Sequence, residues 1–389
     1  MDARRARAES LITSRTARLV ASCVVGAAAV SAFGFGVVPG EMRDFEVYWT
    51  AASRALSAEP LYRAADGHYQ FKYLPAFAVL SSPMALVPLP LAKAVWLVIS
   101  VALLAALVSL SIGLLPARQR PAWFLAAATL VVMGKFYGHE LVLGQVNLLF
   151  AVLVAVGLLM MRGGRGAAAA ALFVGAMVVK PYAVILLPWL VIRRGRNAAA
   201  TAMVASAAVL LLPMHLYGIG GTVDLHREWW TTVTASTAPN LTNADNVSLG
   251  GFSAKWLGSG TPATVATAAL SLALMAVAAF VVLGSRPGDR REVLEGALLL
   301  TAIPLLSPQG WDYVFLVATP AVALIVNYDR ELQPALRVAT WVALLTIGLS
   351  LFDVMGREHY SAFMAWSVIT ICFLVVIAAL AALRLRRVA

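Results

Sequence analysis

From Leu91 to Leu115 the chain reads LAKAVWLVISVALLAALVSLSIGLL, a long apolar stretch with one charge, Lys93. About 20 such residues span the hydrocarbon core of a bilayer as a helix. Backbone N–H and C=O groups find no water there, so each must be paired inside the chain. A helix pairs them locally, and nothing in the stretch alternates as a barrel strand would. Similar stretches recur near 17–38, 121–137, 144–161, 167–179, 181–193, 197–214, 262–284, 293–306, 312–327, 335–352 and 361–383. Of 389 residues, 61% are hydrophobic and 13% charged. The chain therefore predicts an all-α polytopic membrane protein: one integral domain, 1–389, with twelve spans. The first stretch, 17–38, is too long for the apolar core of a cleaved signal and reads as a retained anchor.

The net charge of +11 would suggest nucleic acid in a soluble protein, but the positions of the charges give another reason for it. Basic residues come in short bursts: RRAR, ARQR, RGGR, RRGR, RPGDRR and RLRR. With the N-terminus in the cytoplasm, the inner segments take 20 of the 30 Lys+Arg and 7 of the 19 Asp+Glu, against 10 and 12 outside. Such an excess of inner positive charge sets the orientation of a membrane protein. Both termini are expected inside, and no nucleic-acid partner is expected. The Ala-rich composition points to a bacterial cytoplasmic membrane.

One region resists simple threading. Arg162 and Arg165 on one side of 167–192, and Arg193, Arg194 and Arg196 on the other, all belong in the cytoplasm. A single span would separate them. Pro181 removes a backbone donor and restricts Lys180, so a helix can break there. Two short spans, 167–179 and 181–193, turning at Lys180 on the outer side, resolve the conflict. Broken helices are tolerated at membrane depth where they line a cavity.

With this orientation the chemistry falls on the outer side. It comprises a first loop, 39–90; a short polar turn, GKFYGHELVLGQVN (134–147); a second loop, 215–261; LSPQGWDY (306–313); and FDVMGREHYS (352–361). The first loop opens with PGEMRDFEVYWTAASRAL, where Asp44 and Glu46 stand beside Tyr48 and Trp49. The inner loops are short and carry no motif. Cys23 and Cys372 fall inside spans and read as small apolar residues. The five histidines show no metal-ligand spacing. No phosphate-binding glycine loop or nucleophile elbow is present, and neither cofactor nor metal is expected.

The ordered set DFEVYWTAA, PLYRAADGHYQFKYLPAFAVLSSPMALVP, LGQVNLL, GAMVVKPY, NVSLGG and LSPQGWDY resembles glycosyltransferase family 87 over roughly residues 40 to 315. That family holds polyprenyl-phosphomannose-dependent α-1,2-mannosyltransferases of the GT-C fold, best known from mycobacterial and corynebacterial lipoglycan assembly. The chain departs from it at Tyr73-Leu74-Pro75, where Tyr-Pro-Pro is common, and at Tyr313, where a histidine commonly follows Trp-Asp. The resemblance implies a glycosyltransferase. It would move a sugar, mannose first, from a polyprenyl-phosphate donor to a glycan or glycolipid acceptor at the outer face.

It also implies an acidic catalytic base in the first outer loop, and Asp44 sits at the matching place. A carboxylate in reach of an acceptor hydroxyl can take its proton as it attacks the anomeric carbon. Charge grows on the departing lipid phosphate, so fixed cations should face it; Lys180 and Lys72 are the candidates. Tyr48, Tyr73, His139, Gln145, Asn147, Asn246, Ser248, Trp311, Asp312 and Tyr313 are read as substrate-binding. Gln145, Asn147, Asn246 and Ser248 could equally satisfy helix ends. Glu46, two residues beyond Asp44, is read as structural. A transporter or flippase is the alternative class. It would call for internal repeats and midplane ionisable residues; no repeat is evident and the spans hold almost no acids. A non-catalytic assembly subunit is the third class, and loss of the outer-loop acid would be its mark.

Overall fold

The computed structural model describes residues 38–284 and 290–386. The expected first span, 17–38, lies outside them but for Val38, as does Cys23. In chain order the helices are α1 (Arg43–Leu56), α2 (Pro75–Ser81), α3 (Leu89–Gly113), α4 (Ala122–Leu143), α5 (Asn147–Arg162), α6 (Gly166–Val179), α7 (Leu186–Leu211), α8 (Met214–Ala235) and α9 (Leu249–Leu257). They continue as α10 (Thr261–Leu283), α11 (Arg291–Leu306), α12 (Thr319–Tyr328), α13 (Pro334–Leu349), α14 (Arg357–Ala365) and α15 (Val368–Leu385). Among the described residues the only β contact is an isolated bridge, Asn246 to Trp311. Prolines in the first turn start α2, α3, α10, α12 and α13, where a missing N–H costs nothing.

Four helical stretches among the described residues are long and apolar enough to cross a bilayer: Leu89–Gly113, Thr261–Leu283, Asp312–Glu331 and Val368–Leu385. Pro181–Leu211 and Met214–Asn240, bent by 90° at their break, meet the same measure taken together, as one broken span or a re-entrant loop. Pro75–Leu86, α5, α6 and α13 are shorter apolar helices. The protein is an all-helical multi-pass membrane protein.

The break at Lys180-Pro181 is real. Helix α6 ends at Val179, Lys180 is extended (φ −140°, ψ 110°), and a 3-10 turn over Pro181–Ile185 leads into α7. Helices α6 and α7 then pack along each other. Their far ends meet at Gly166, where an added Cβ would lie 2.9 Å from the Arg194 side chain, and Arg194 donates to the Met161 carbonyl. The two basic bursts thus share one end of the hairpin. Gly195 (φ 70°, ψ −155°) breaks α7 within the second burst, a conformation only glycine adopts without strain.

Two expectations are corrected. Residues 134–147 are not a turn: α4 continues to Leu143, and only Gly144–Val146 reverse the chain. The last span begins at Val368 rather than 361, because α14 is a separate helix ahead of it. The helical segments also contain buried acids, Glu140 and Glu295.

Helix α11 is buried from Val293 to Leu305, and the segment from Asp312 to Asp329 is buried throughout. Helices α3, α4, α5, α9, α10 and α15 pack against this pair. Helix α10 lies at the periphery and buries only Ala263, Leu274, Ala278, Val281 and Val282. The two ends of the bundle differ. One gathers α1, α2 and the segments after α4, α6 and α11. The other is bound by arginine. Fully buried Glu295 accepts from Arg193 Nη2 at 2.8 Å, Arg384 Nε at 2.9 Å and Trp189 Nε1 at 2.9 Å. Nearby, Asp329 pairs with Arg120 at 2.6 Å. A charge this deep persists only when paired.

Candidate active site

Helix α1 is amphipathic. Phe45, Tyr48, Ala51, Ala52 and Ala55 form its buried face. Asp44 and Tyr48, one turn apart, lie side by side along the edge of that face. Glu46 leaves on another bearing and pairs with Lys93 Nζ at 2.6 Å, a structural tie to α3.

Helix α4 ends on Gly144, which has φ 68°. A Cβ there would lie 2.8 Å from both Met42 Cε and Phe45 Cβ. Only glycine therefore lets α1 approach this turn, and Trp96 Nε1 donates to the Gly144 carbonyl at 3.1 Å to hold it. The next residue, Gln145, is the centre of the site. Its Nε2 donates to Asp44 Oδ2 at 2.6 Å and lies 3.2 Å from the Tyr313 hydroxyl. Its Oε1 accepts from Tyr48 at 2.8 Å and from Tyr73 at 3.3 Å. The Tyr48 and Tyr73 hydroxyls are 2.7 Å apart. Lys180 Nζ donates to the Tyr73 hydroxyl at 2.9 Å and lies 4.6 Å from its ring centroid, a cation–π position. Phe77 packs at 5.0 Å from Tyr73 and 5.5 Å from Tyr48, ring to ring.

Six side chains from five separate segments are thus joined: Asp44, Tyr48, Tyr73, Gln145, Lys180 and Tyr313. One Asp44 carboxylate oxygen, Oδ2, is held by Gln145, and the other, Oδ1, makes no hydrogen bond among the described residues. Burial pushes the Asp44 carboxyl above its ordinary range; the Gln145 hydrogen bond opposes this most, and the Lys180, His68 and Lys72 charges add to it. Lys72 makes no side-chain hydrogen bond or ion pair among the described residues. Burial pulls its ammonium below the usual lysine range, with the facing Asp44 opposing.

A second cluster adjoins the first through Tyr313. Asp312 is fully buried, 2.8 Å from Lys135 Nζ and 3.4 Å from His139 Nδ1. Lys135 and His139 are one turn apart on α4. The half-exposed His139 ring meets Tyr313 edge-on at 5.5 Å, and Lys135 lies 4.9 Å from the Tyr360 ring centroid. Among the described residues, no three His, Cys, Asp or Glu side chains are grouped to hold a metal.

Three expected sugar-binding residues are occupied elsewhere. Asn147 donates to Glu140 Oε2 at 2.7 Å. Asn246 accepts from the Ser248 N–H at 3.0 Å and donates to the Asn240 carbonyl at 2.9 Å. Ser248 caps α9, accepting from the Gly251 N–H at 2.9 Å. Trp311 bridges to Asn246 through its backbone, which sets Asp312 and Tyr313 in place. Two residues escaped the sequence reading, Lys135 and Glu140. The i, i+4 pair Lys135 and His139 was the available signal.

No curated protein and no solved structure matches the chain. The profile of glycosyltransferase family 87 matches residues 71–308. Lys72, Tyr73, Gln145 and Lys180 fall inside that match, and Asp44 and Asp312 outside it. A match over more than half the chain, on a bundle of apolar helices, establishes that this protein belongs to glycosyltransferase family 87 and is a membrane glycosyltransferase.

Proposed function

We propose that the protein moves a sugar, mannose first, from a polyprenyl-phosphate donor to a glycan or glycolipid acceptor, with Asp44 as base. The reaction is a single displacement. The acceptor hydroxyl oxygen bonds to the anomeric carbon as the bond from that carbon to the phosphate oxygen breaks. Asp44 takes the hydroxyl proton, and the phosphate leaves with the electron pair. The Gln145 hydrogen bond favours the charged carboxylate, as a base requires. Lys180, aimed by Tyr73, and Lys72 supply positive charge for the departing phosphate. In this reading Tyr48, Tyr313 and His139, grouped around Gln145 and Asp312, are the sugar-binding side chains. In the same proposal the chain crosses a bacterial cytoplasmic membrane twelve times, both termini inside, with the Asp44 end outside.

The observation that carries this reading is a carboxylate held through one oxygen by Gln145 and linked by way of Gln145 and Tyr73 to a lysine. The experiment is transfer by the purified protein, in membranes, from a panel of polyprenyl-phosphate sugars. One donor should give product with wild type and almost none with Asp44→Asn. Equal product from both would remove Asp44 as the base and move the search to Asp312.

A further inference from the structure

We propose that Glu140 is a positioning residue: with Asn147 it forms a buried clamp that aims the Gln145 amide at Asp44. The inference rests on Asp44 being the base. Four consecutive residues after the α4 turn hang from Glu140 or lie between its contacts. Its carbonyl accepts from the Gln145 N–H at 3.0 Å. Its carboxylate accepts from Asn147 Nδ2 at 2.7 Å and from the Leu148 N–H at 2.9 Å. The residue before α5, where a capping side chain normally sits, is Val146, which has no polar atom to offer. The cap comes instead from the preceding helix, reaching across the turn. The two helices are thereby geared together at the one turn that carries Gln145.

That turn has little tolerance. The Gln145 amide meets Asp44, Tyr48, Tyr73 and Tyr313 at once, at 2.6 to 3.3 Å. A hydrogen bond weakens steeply once its distance and angle drift, so a shift of the turn breaks the set. Asp44 faces Lys180, His68, Lys72, Tyr48, Tyr73 and Tyr313 as well as Gln145. The Glu140 carboxylate faces Lys180 too, so that lysine stands between two acids. A helix cap alone would keep α5 folded. A clamp also controls how readily Asp44 holds a proton.

The polarity of the clamp can be reversed. Both partners of the Glu140 carboxylate are N–H donors. In Glu140→Gln one of them would face a second donor. Asn147 Oδ1 is buried and has no partner among the described residues. In Asn147→Asp an oxygen therefore stays where an oxygen is, and only the amide nitrogen is exchanged. The double variant Glu140→Gln/Asn147→Asp turns the donor into the acceptor and keeps the total charge. The Leu148 N–H still finds the carbonyl oxygen of the new side-chain amide.

The test uses the full-length protein in membranes, with two readouts. One is the rate of sugar transfer against pH. The other is labelling of Asp44 by dicyclohexylcarbodiimide against pH, read by peptide mass spectrometry; the reagent takes protonated carboxyls and needs no turnover. Glu140→Gln should cut transfer about tenfold or more and raise the Asp44 labelling midpoint by about 1 pH unit, the scale of one lost hydrogen bond to a carboxylate. The double variant should restore both to near wild type. An unmoved midpoint in a folded Glu140→Gln, or no restoration in the double variant, overturns the clamp. If the wild type transferred no sugar, the base assignment would fail by itself, while the labelling midpoints would still decide the clamp.

Discussion

Gly144→Ala should disable the enzyme without unfolding it. The left-handed backbone at Gly144 costs an alanine about 1–2 kcal/mol. The larger effect is steric. The new Cβ would lie 2.8 Å from Phe45 Cβ, an atom fixed to the α1 backbone. Carbon atoms rest at about 3.5–4.0 Å, so α1 must retreat by roughly 0.7–1.2 Å. Asp44 precedes Phe45 and moves with it. Its 2.6 Å bond to Gln145 would then open beyond about 3.2 Å, past the useful range for an amide donor. A displacement of about 1 Å at a reacting group costs on the order of 10²-fold in rate. The assay is single-turnover transfer from the lipid-phosphate sugar, beside thermal unfolding of the same samples. Gly134→Ala is the control, on the same helix, where an added Cβ meets nothing within 4 Å. If folded Gly144→Ala turned over within about threefold of wild type, the close approach of α1 would not be what sets Asp44.

Asp44→Asn should fold, bind donor and lose about 10²–10⁴-fold in turnover, the range for a positioned base; Glu46→Gln should lose far less, because Glu46 pairs with Lys93 and not with the site. Lys180→Ala should weaken donor use while Lys180→Arg partly keeps it. Lys180 also helps hold the Asp44 carboxyl down, so Lys180→Ala should move the acid limb of the rate profile to higher pH, and an unmoved limb would separate the two residues. Arg54 holds the Asp66 carboxyl below its usual range through a two-bond pair. That stability is present above the ordinary Asp value and lost as pH falls through the lowered one, so Arg54→Ala should lower Tm at pH 7 and the difference should vanish in acid. Tags at 118–120 and 193–196 should report the cytoplasm and insertions near 60 and 240 the outer face, and bursts 162–165 and 193–196 on opposite sides would refute the hairpin topology.

Much of the candidate site could be read from the chain because its members lie at or between the ends of apolar stretches. Gln145, Lys180 and Tyr313 stand at such ends, Asp44, Tyr48 and Tyr73 lie in the loop between two of them, and the bundle brings these segments together. The break at Lys180 was legible because proline acts locally. Residues 134–147 misled because Gly134, Lys135, Gly138, His139 and Glu140 look like a loop. In the fold each charge is paired inside the protein, Lys135 with Asp312 and Glu140 with Asn147, so the helix has no reason to stop. Asn147, Asn246 and Ser248 have the right groups for a sugar. Ser248 and Asn147 find local partners at a helix end, the alternative their spacing allowed, whereas Asn246 also bonds Pro308, 62 residues away, which spacing does not encode.

The arginines around Glu295 also fix an order of assembly. Arg193 lies 102 positions before Glu295 and Arg384 lies 89 positions after it. At about 5–20 residues per second of synthesis, Arg193 enters its hairpin roughly 5–20 s before its partner exists, and the pair then waits a similar time for Arg384. Until Glu295 is made, Arg193 must stay hydrated near the membrane surface; Glu295 then meets it together with Arg291, one turn before it on α11. The last helix therefore acts as a closing pin: a chain ending before α15 would leave Glu295 to Arg193, Arg291 and Trp189 and leave the cluster without the one arginine that ties the last helix to it.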